Sequence, residues 1–359
     1  MPSALVASKN IRIICVALFH AGMEVVNVDF FQDKRILLIG GTGTIGRGLL
    51  NALLLQRPKV VRILSRDEFK QFELQMKYEG TANIRYLLGD IRDYSRLLRA
   101  MEDIDVVFHT AAYKHVPACE YNPFEAVQTN IIGSQNVITA ALHTGVQKVI
   151  ITSSDKSISP TNTYGATKLV VERLVAAAEY AKGSANTVFT AVRFGNVMGS
   201  RGSIIPLLKQ QLAEGKPITV TDSSMTRFMM TLSQAVSLTL RAAELSCGGE
   251  LYILKMPVLR LGDLVEVVRD EMSKKYGVSK GVLKIIGLRS GEKRYEELMT
   301  EDESRLAVEL DEMFVIPSGR SKNSYVSANP ASIGSYRSRD ITPIDKEQIR
   351  QWVLSEELI

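Results

Sequence analysis

The chain has 359 residues, 45% of them hydrophobic and 23% charged, which is enough to bury a large core and excludes a low-complexity or fibrous protein. Its formal net charge of +5 suits anionic small molecules such as nucleotides, but it is too small and too dispersed to indicate a nucleic-acid-binding protein. The three cysteines and four histidines have no metal-ligand spacing, so we expect no metal site, no disulfide framework and a reducing cytoplasm.

The first 33 residues precede the first clear strand, and we treat residues 1–33 as an N-terminal extension of unknown role. Within it, the stretch from Ile13 to Met23 has no charged residue, but 11 residues are far fewer than the roughly 20 needed to span a bilayer. We therefore expect no membrane span. An extra strand or helix packed on the domain, or a start codon placed upstream, explains the extension better than a secretion signal does.

A glycine-rich turn follows the first apolar run. Lys34–Ile39 is typical of a buried parallel strand, and an apolar helix follows from Arg47. Glycines between a strand and a helix let the backbone turn sharply and approach a pyrophosphate, which then sits at the positive N-terminus of the helix. The pattern predicts dinucleotide binding rather than a structural turn alone, with contacts from Gly40, Thr42, Gly43, Thr44, Ile45 and Gly46.

The end of the second strand indicates which dinucleotide is bound. An NAD enzyme usually has an acidic residue there for the ribose 2′-hydroxyl, but this chain has Ser65. Arg66 and Lys70 follow and are suited to a 2′-phosphate, so the sequence favours NADP over NAD. The alternative is that Arg66 and Lys70 only pair with the neighbouring carboxylates of Asp67 and Glu68.

Two further strand–helix units complete the nucleotide-binding half. The alternation of strands and helices predicts an α/β fold with a doubly wound parallel sheet over residues 34–196. Beyond residue 196 the rhythm breaks, which predicts a smaller, interleaved substrate-binding region over residues 197–359, with residues 250–254 returning to the sheet. The ends of the third and fourth strands supply further candidate cofactor contacts, namely Asp90, Ile91, Thr110, Ala111 and Ala112.

The segment from Ser154 to Lys168 holds the catalytic candidates. Tyr164 and Lys168 are four residues apart in a helix-like run, so they share one face, although such a pair also arises by chance. A neighbouring ammonium and a positive nicotinamide ring would favour the phenolate of Tyr164, a base for oxidising an alcohol. Asp155 and Lys156 put an acid beside an amine, which indicates a second reaction; the alternative is a surface ion pair.

Together these motifs resemble the extended short-chain dehydrogenase/reductase superfamily, which has the Rossmann fold. Within it, the chain resembles the soluble UDP-N-acetylglucosamine 4,6-dehydratases that invert C5, a polysaccharide-biosynthesis (CapD-like) group. The Ser-Asp-Lys step is the most specific, because dehydratases of dTDP-glucose or GDP-mannose have Asp-Glu or similar there and 4-epimerases have small residues. The resemblance covers about residue 30 to the C-terminus and rests on Gly40-Gly-Thr-Gly-Thr-Ile-Gly46, Ser65-Arg-Asp-Glu68, Ala111-Ala-Tyr-Lys-His-Val-Pro117, Ser154-Asp-Lys156, Tyr164-Gly-Ala-Thr-Lys168, Arg193-Phe-Gly-Asn196, Asp222-Ser-Ser-Met-Thr-Arg-Phe228 and Arg289-Ser-Gly-Glu-Lys293.

The resemblance implies a catalytic role for each residue of the central segment. Tyr164 would take the C4 hydroxyl proton while the hydride passes to a tightly held NADP that is recycled in each turnover, and Lys168 would assist Tyr164 and contact the cofactor. Lys156 would take the C5 proton, and Asp155, protonated, would give its proton to the departing C6 hydroxyl. Ser154 would hydrogen-bond the substrate hydroxyl.

The resemblance also places contacts to the UDP-sugar outside this segment. Each arginine among them is weak evidence alone, because a surface arginine is usually only solvated. Asn130 resembles the asparagine that supports the catalytic helix, but it equally fits an ordinary helix residue. The candidate substrate contacts are Lys114, Asn196, Ser200, Arg201, Gly202, Arg227, Arg289 and Glu292.

Other activities of the same fold stay open. A C5-retaining UDP-N-acetylglucosamine 4,6-dehydratase or a UDP-sugar 4-epimerase would use the same cofactor site. Retaining relatives mostly have Met where Tyr164 stands, and some inverting relatives do too, so this residue leans toward inversion. A cofactor-binding sensor that lost catalysis would commonly lack Tyr164 or Lys168. The resemblance further implies a homo-oligomer and a product used in surface polysaccharide or glycan sugar synthesis.

Overall fold

A computed structural model describes residues 30–288, 291–319 and 321–359. The expectations for residues 1–29 lie outside these ranges. The last part of the predicted extension is described, and Phe31 is fully buried, with its ring centroid 5.9 Å from that of Phe108. The end of the extension therefore packs on the core.

The strands in the described part of the chain vary from two to six residues in length. In chain order they are β1 (Arg35–Ile39), β2 (Val60–Ser65), β3 (Ile84–Leu88), β4 (Val106–His109), β5 (Lys148–Thr152), β6 (Val188–Arg193), β7 (Asn196–Val197), β8 (Ile218–Val220), β9 (Thr226–Met230), β10 (Leu251–Leu254), β11 (Val258–Arg260), β12 (Leu283–Ile285), β13 (Glu297–Met299), β14 (Val308–Glu309), β15 (Met313–Ile316), β16 (Asn329–Pro330) and β17 (Tyr336–Arg337).

The main sheet has ten strands in the order β16-β14-β15-β10-β6-β5-β4-β1-β2-β3. Strand β1 pairs in parallel with β2 on one side and with β4 on the other. The chain therefore adds strands outward from β1 first on one side and then on the other, and the strand order reverses between β1 and β4. The prediction of a doubly wound parallel sheet is confirmed. In such sheets ligands bind beyond the carboxyl ends of the strands at the reversal, which here is the edge beside β1 and β4.

Helices cover both faces of this sheet because successive strand residues point to opposite sides. In β1, Ile36 and Leu38 belong to one apolar cluster, whereas Leu37 and Ile39 belong to the other. The helices are α1 (Thr44–Leu55), α2 (Glu68–Lys77), α3 (Tyr94–Met101), α4 (Val116–Tyr121), α5 (Pro123–Ala126), α6 (Gly133–Thr144), α7 (Thr163–Ala181), α8 (Ile204–Ala213), α9 (Leu232–Leu245), α10 (Leu261–Tyr276), α11 (Glu301–Ser304) and α12 (Lys346–Ser355).

The start of α7 is fixed by local sequence. Asn162 has extended backbone angles, and its Oδ1 accepts a hydrogen bond of 2.8 Å from the backbone N–H of Gly165. Asparagine at this position satisfies one of the donors that the first turn of a helix leaves unpaired. The cap places Tyr164 in the first turn of α7 and Lys168 one turn later.

The C-terminal part of the chain returns to the main sheet more than once. Strand β10 pairs in parallel with β6, and β15, β14 and β16 then extend the sheet by antiparallel pairing. These last strands are short and follow turns rather than crossover helices, so the strand–helix alternation of the sequence did not reveal them. The division of the chain at residue 196 stays a prediction.

A third apolar cluster lies in the C-terminal half of the chain, between α8, α10 and α12. The small sheet β11-β9-β7 lies beside it and carries side chains into the cleft below the main sheet edge. Within the described ranges, no helix combines the length and the apolar character needed to cross a membrane.

Candidate active site

The turn between β1 and α1 accepts only glycine at two positions. Gly40 has φ of +81°, and a Cβ there would lie 2.8 Å from the backbone nitrogen of Ala111. A Cβ on Gly46 would lie 2.5 Å from the carbonyl oxygen of Gly40. The turn is therefore tight enough for a pyrophosphate to approach the backbone. Gly43 precedes α1 without a side-chain cap, and residues 43–45 line a cavity of about 1040 Å³.

A second cavity, of about 590 Å³, extends from this turn along the ends of β2 and β3. Two hydroxyls meet at its wall, where Thr42 Oγ1 lies 2.8 Å from Ser65 Oγ. The cavity brings together most of the predicted cofactor contacts, namely Gly40, Thr42, Gly43, Ser65, Arg66, Lys70, Asp90, Ile91, Thr110, Ala111 and Ala112.

The two cations at the end of β2 have different partners. Lys70 pairs with Asp67, as the alternative interpretation of this segment expected. Arg66 instead donates to Tyr113 Oη at 3.0 Å and to Asp90 Oδ2 at 3.4 Å, and its guanidinium lies 5.0 Å from the Tyr113 ring centroid. Arg66 is thus held over the cavity rather than against Asp67.

Arg201 lies at the cofactor turn, although the resemblance gave it to the substrate. Its Nη2 donates to the carbonyl oxygen of Thr42 at 2.7 Å, and it lines both cavities. The glycine of the same turn, Gly202, has φ of +73° and lets the chain bend back toward α1. The Arg201 guanidinium therefore adds a positive charge to the walls of both cavities.

Asp155 and Lys156 form a short 3₁₀ turn directly after β5, and the surface-pair alternative fails for Asp155, which is 3% exposed. Lys156 Nζ lies 3.1 Å from Asp155 Oδ2 and 3.5 Å from Glu296 Oε1. Glu296 comes from the segment just before β13, 140 positions along the chain. The amine therefore lies between two buried carboxyl groups.

Burial and the neighbouring charges shift the pKa of each residue in this cluster. Burial and the Asp155 charge raise the pKa of Glu296. Burial alone would raise the pKa of Asp155 as well, but the Lys156 ammonium and the Ser154 hydroxyl outweigh it and hold that pKa below its usual range. Burial alone would lower the pKa of Lys156, yet the two carboxylates keep it above its ordinary value. Lys156 is thus an ammonium ion beside an ionised Asp155.

Tyr164 and Lys168 are both buried on α7, but Lys168 does not set the charge of the phenol. Its Nζ donates to the carbonyl oxygen of Thr152 at 2.8 Å, and burial lowers its pKa to about 8. Burial raises the pKa of Tyr164, and the hydrogen bond to Ser154 and the charge of Lys156 offset only part of this. A phenolate favoured by a neighbouring ammonium and a nicotinamide ring stays a prediction: in the protein alone burial dominates, and the ammonium that lowers the pKa of Tyr164 is that of Lys156.

Ser154 faces the carboxyl group of Asp155. Its Oγ donates to Asp155 Oδ1 at 2.8 Å. The turn that follows is anchored from below, since Ser157 Oγ donates to Glu172 Oε1 at 2.9 Å. Arg193, 1% exposed, pairs with Glu172 at 2.6 Å and with Glu303 at 2.9 Å. These charged side chains connect the turn Asp155–Ser157 to the C-terminal segment.

Several predicted substrate contacts line the larger cavity. Lys114 Nζ donates to Ser200 Oγ at 3.3 Å, and burial followed by the charge of Lys156 lowers the pKa of Lys114. Arg227 lies 3.5 Å from Glu292, and Asn196 donates to both carboxylate oxygens of Glu296. Arg289 lies outside the described residues. The members that the cavity brings together are Lys114, Asn196, Ser200, Arg201, Gly202, Arg227 and Glu292.

Two residues of the cleft region, Glu296 and Asn130, have contacts that the sequence pattern does not predict. Glu296 belongs to the charged run Glu292-Lys-Arg-Tyr-Glu-Glu297, which is typical of a solvent-exposed segment, so composition gave no signal. Asn130 lies in a π-helical turn, Val127–Ile132, and its side chain accepts from the Tyr113 N–H at 2.8 Å and donates to Thr167 Oγ1 at 3.0 Å. It therefore ties α7 to the loop after β4.

The chain is similar to proteins of known and unknown activity over most of its length. The family model described as "Polysaccharide biosynthesis protein" matches residues 36–318. A solved structure, Pen from Bacillus thuringiensis, is 56% identical with a TM-score of 0.88, covering 92% of this chain and 99% of that one.

Two curated relatives have different names. An inverting UDP-N-acetylglucosamine 4,6-dehydratase of Campylobacter jejuni is 40% identical, over 92% of this chain and 97% of its own length. A UDP-glucose 4-epimerase of Rickettsia rickettsii is 36% identical, over 90% of this chain and 96% of its own length. The difference between them must be decided by the side chains in the cleft.

Proposed function

The chain belongs to the polysaccharide biosynthesis protein family of extended short-chain dehydrogenase/reductases, and on this premise we propose that it is an NADP-dependent, C5-inverting UDP-N-acetylglucosamine 4,6-dehydratase. The observation that carries the proposal is the buried Asp155–Lys156 pair beside Tyr164 in one cleft. An acid and a base held 3.1 Å apart supply the two groups that loss of water across C5–C6 requires.

The residues at the sheet edge fit a nicotinamide dinucleotide. Gly40 and Gly46 are required by close contacts within the turn itself, and Gly43 between them would let a pyrophosphate approach the backbone. A bound dinucleotide would supply the acceptor for the C4 hydride and the donor that returns it to C6. The cations Arg66 and Arg201 would hold the ribose 2′-phosphate and the pyrophosphate, which supports NADP over NAD.

Each protein group then has one task. As a phenolate, Tyr164 would remove the C4 hydroxyl proton while the C4 hydride leaves to the dinucleotide, so that C4 becomes a ketone that acidifies C5–H. Lys156, as a neutral amine, takes the C5 proton, and Asp155, as an acid, protonates the C6 hydroxyl so that the C6–O bond breaks and water leaves. C5 is finally reprotonated while C6 receives the hydride, so the net change is the loss of one water molecule.

The catalytic forms of Asp155 and Lys156 are one proton shift from the resting pair. In the resting pair the proton is on Lys156, because the carboxylates favour the ammonium. Transfer of that proton across the 3.1 Å contact to Asp155 gives a neutral amine and a neutral acid together without adding or removing charge. Separated roles from two adjacent titratable groups are a common basis of acid–base catalysis.

The substrate's UDP moiety fits the cations of the larger cavity. Lys114 and Arg227 would contact the diphosphate, and arginine is well suited to phosphate oxygens. Asn196 and Glu292 would contact the sugar and the ribose. Because the roles of these residues come from the family resemblance, they are part of the proposal.

A UDP-sugar 4-epimerase is the second candidate, since epimerases are among the relatives at 36% identity. Epimerisation at C4 needs Tyr164 and the cofactor but no acid for a leaving group at C6. The buried acid at Asp155 would then have no task, and burying a charged pair is costly unless it serves a purpose. This favours the dehydratase.

The two candidates differ in the mass of the product. The purified protein should convert UDP-N-acetylglucosamine, with no reductant added, into a product lighter by one water, as measured by mass spectrometry. Lys156→Ala should give none. A product of unchanged mass that co-migrates with the C4 epimer would assign the protein to the epimerases.

A cytoplasmic homo-oligomer completes the proposal. Apolar side chains are exposed next to each other on α4 and α5, where Tyr121 is 88% and Phe124 67% exposed, and a second copy would cover them. Light scattering should give a mass at least twice the 39.7 kDa of one chain, and a monomer mass would refute this part.

A further inference from the structure

Glu296 contacts Lys156, the proposed C5 base, and two residues predicted to bind substrate, Asn196 and Arg227. It is 6% exposed, and its Oε1 lies 3.5 Å from Lys156 Nζ. Asn196 Nδ2 donates to its two oxygens at 2.9 and 2.8 Å, and Arg227 Nε lies 3.4 Å from Oε1. The backbone N–H of Phe228 donates to Oε2 at 3.0 Å. The carboxyl group is therefore fixed by four groups from three separate elements.

We propose that Glu296 is a positioning residue for Lys156: its carboxyl group is a second anchor for an amine that contacts both oxygens of Asp155, at 3.2 and 3.1 Å, and it holds that amine in line with the substrate C5 proton. This inference rests on the proposed function. With Asp155 alone, the flexible lysine side chain would be tethered at one carboxylate and free to swing about it. A second carboxyl group, 3.5 Å from the amine, restricts that motion, and it ties the amine to Asn196 and Arg227, which we expect to contact substrate.

The geometry matters more than the charge for the rate. The charge of Glu296 favours the ammonium form, which by itself works against a base. Glu296 must therefore raise the rate by fixing the position of the Lys156 amine. Proton transfer from carbon requires an aligned donor and acceptor, and a displacement of about 1 Å can cost about 10²-fold in rate. Charge and placement thus predict opposite effects of removing the carboxylate.

The groups that face Glu296 are few. Asp155 and Lys156 approach from the turn after β5, Arg227 from β9 and Lys293 from its own segment. Asp155 raises the proton affinity of Glu296, and the cations oppose it. In Glu296→Gln, Lys156 loses one of its two carboxylate partners while the amide keeps the size and one acceptor for Phe228.

The first arm of the test needs no substrate. Competitive labelling of amines with acetic anhydride, read at Lys156 by mass spectrometry, measures how much neutral amine this residue presents; its side chain is 30% exposed. Because an opposite charge within about 4–6 Å shifts a pKa by about 1–3, Lys156 in Glu296→Gln should be labelled about tenfold faster at a fixed pH. Unchanged labelling would overturn the contact between Glu296 and Lys156.

The second arm measures turnover of UDP-N-acetylglucosamine. In Glu296→Gln, kcat should fall about 10²-fold with KM changed much less, and the isotope effect with substrate deuterated at C5 should rise. Glu296→Asp should also lower kcat, because the shorter side chain keeps the negative charge but moves it away from Lys156. Faster labelling with unchanged or higher kcat would overturn the positioning role. A large rise in KM with an unchanged isotope effect would assign Glu296 to substrate binding instead.

Two controls keep the outcomes separate. Glu309→Gln removes the same functional group from the ion pair with Lys255, away from the cleft, and should change neither labelling of Lys156 nor turnover. If wild-type protein forms no dehydrated product, the proposed function fails, and the labelling arm still decides whether Glu296 acts on Lys156. If Glu296→Gln unfolds, Glu296→Asp decides both arms.

Discussion

The two walls of the cleft are built in different ways. The cofactor wall is backbone, a turn whose shape follows from Gly40 and Gly46, with two cations at its rim. The opposite wall is buried charge, with Asp155, Lys156 and Glu296 in contact. A backbone wall responds little to pH or to loss of one side chain, whereas a charge-built wall depends on every member. Substitutions should therefore cost affinity on the first wall, and chemistry or stability on the second.

The largest expected effect is on the charged wall. Lys156→Ala should reduce water loss from UDP-N-acetylglucosamine by about 10²–10⁴-fold, because it removes the C5 base. NADP should still stabilise the variant in a thermal-shift titration, since the glycine turn is untouched. A variant that dehydrates at the normal rate would refute the role given to Lys156, and one that no longer binds NADP would refute the separation of the two walls.

The next effect is on stability. Arg193 is a buried arginine that joins the catalytic turn, through Glu172, to α11 through Glu303. Arg193→Met should lower the free energy of unfolding by about 3–5 kcal/mol, because it leaves buried carboxylates without their partner. Urea denaturation measures it. Arg241→Met removes a half-exposed ion pair with Glu244 and should cost about 0–1 kcal/mol. Equal losses would contradict this assignment.

The lowered pKa of Lys168 predicts that the stability of the fold changes with pH. Its pKa is about 8 in the folded protein, below its ordinary value of 10.5. Between these values the unfolded chain binds more protons, so folding becomes more favourable as pH rises. From pH 7.5 to 9.5, wild type should gain about 2 kcal/mol relative to Lys168→Met, measured by urea denaturation at both pH values. A gap that is constant or moves the other way would show that Lys168 is not desolvated.

The smallest effect should come from the rim of the backbone wall. Arg66→Ala removes the cation above the second cavity and should weaken NADP binding about tenfold while leaving NAD binding nearly unchanged. Isothermal titration with both dinucleotides measures the ratio. Lys70→Ala is the matched comparison, and its effect should be smaller because Lys70 is paired with Asp67. Equal losses for NAD and NADP would remove the argument for a 2′-phosphate.

Much of the fold and of the cofactor wall could be predicted because both depend on residues close in sequence. The run Lys34–Ile39, the glycines after it and the spacing of Tyr164 and Lys168 each determine a local structure that the chain adopts. The antiparallel strands β14–β16 could not be predicted, because short strands without crossover helices leave no periodic pattern.

Only part of the charged wall could be predicted, because one of its three members is distant in sequence from the other two. Asp155 and Lys156 are adjacent, so their contact was expected, but Glu296 reaches them only through the tertiary fold. The degree to which burial opposes the Tyr164 phenolate was not predictable either, since burial is a property of packing and not of spacing. The contact of Arg201 with Thr42 was likewise not predictable, because it depends on how the loop before α8 folds back.

The most direct test of the central claim, that the charged wall removes water across C5–C6, is proton NMR of the protein with UDP-N-acetylglucosamine in deuterated water. The account predicts a 4-keto product with a new C6 methyl signal. This signal should show no coupling to a proton at C5, because C5 receives deuterium from the solvent. Reduction of that product would then reveal the C5 configuration. Appearance of the C4 epimer with its C6 hydroxymethyl group intact would contradict the account and assign Asp155 and Lys156 no role in dehydration.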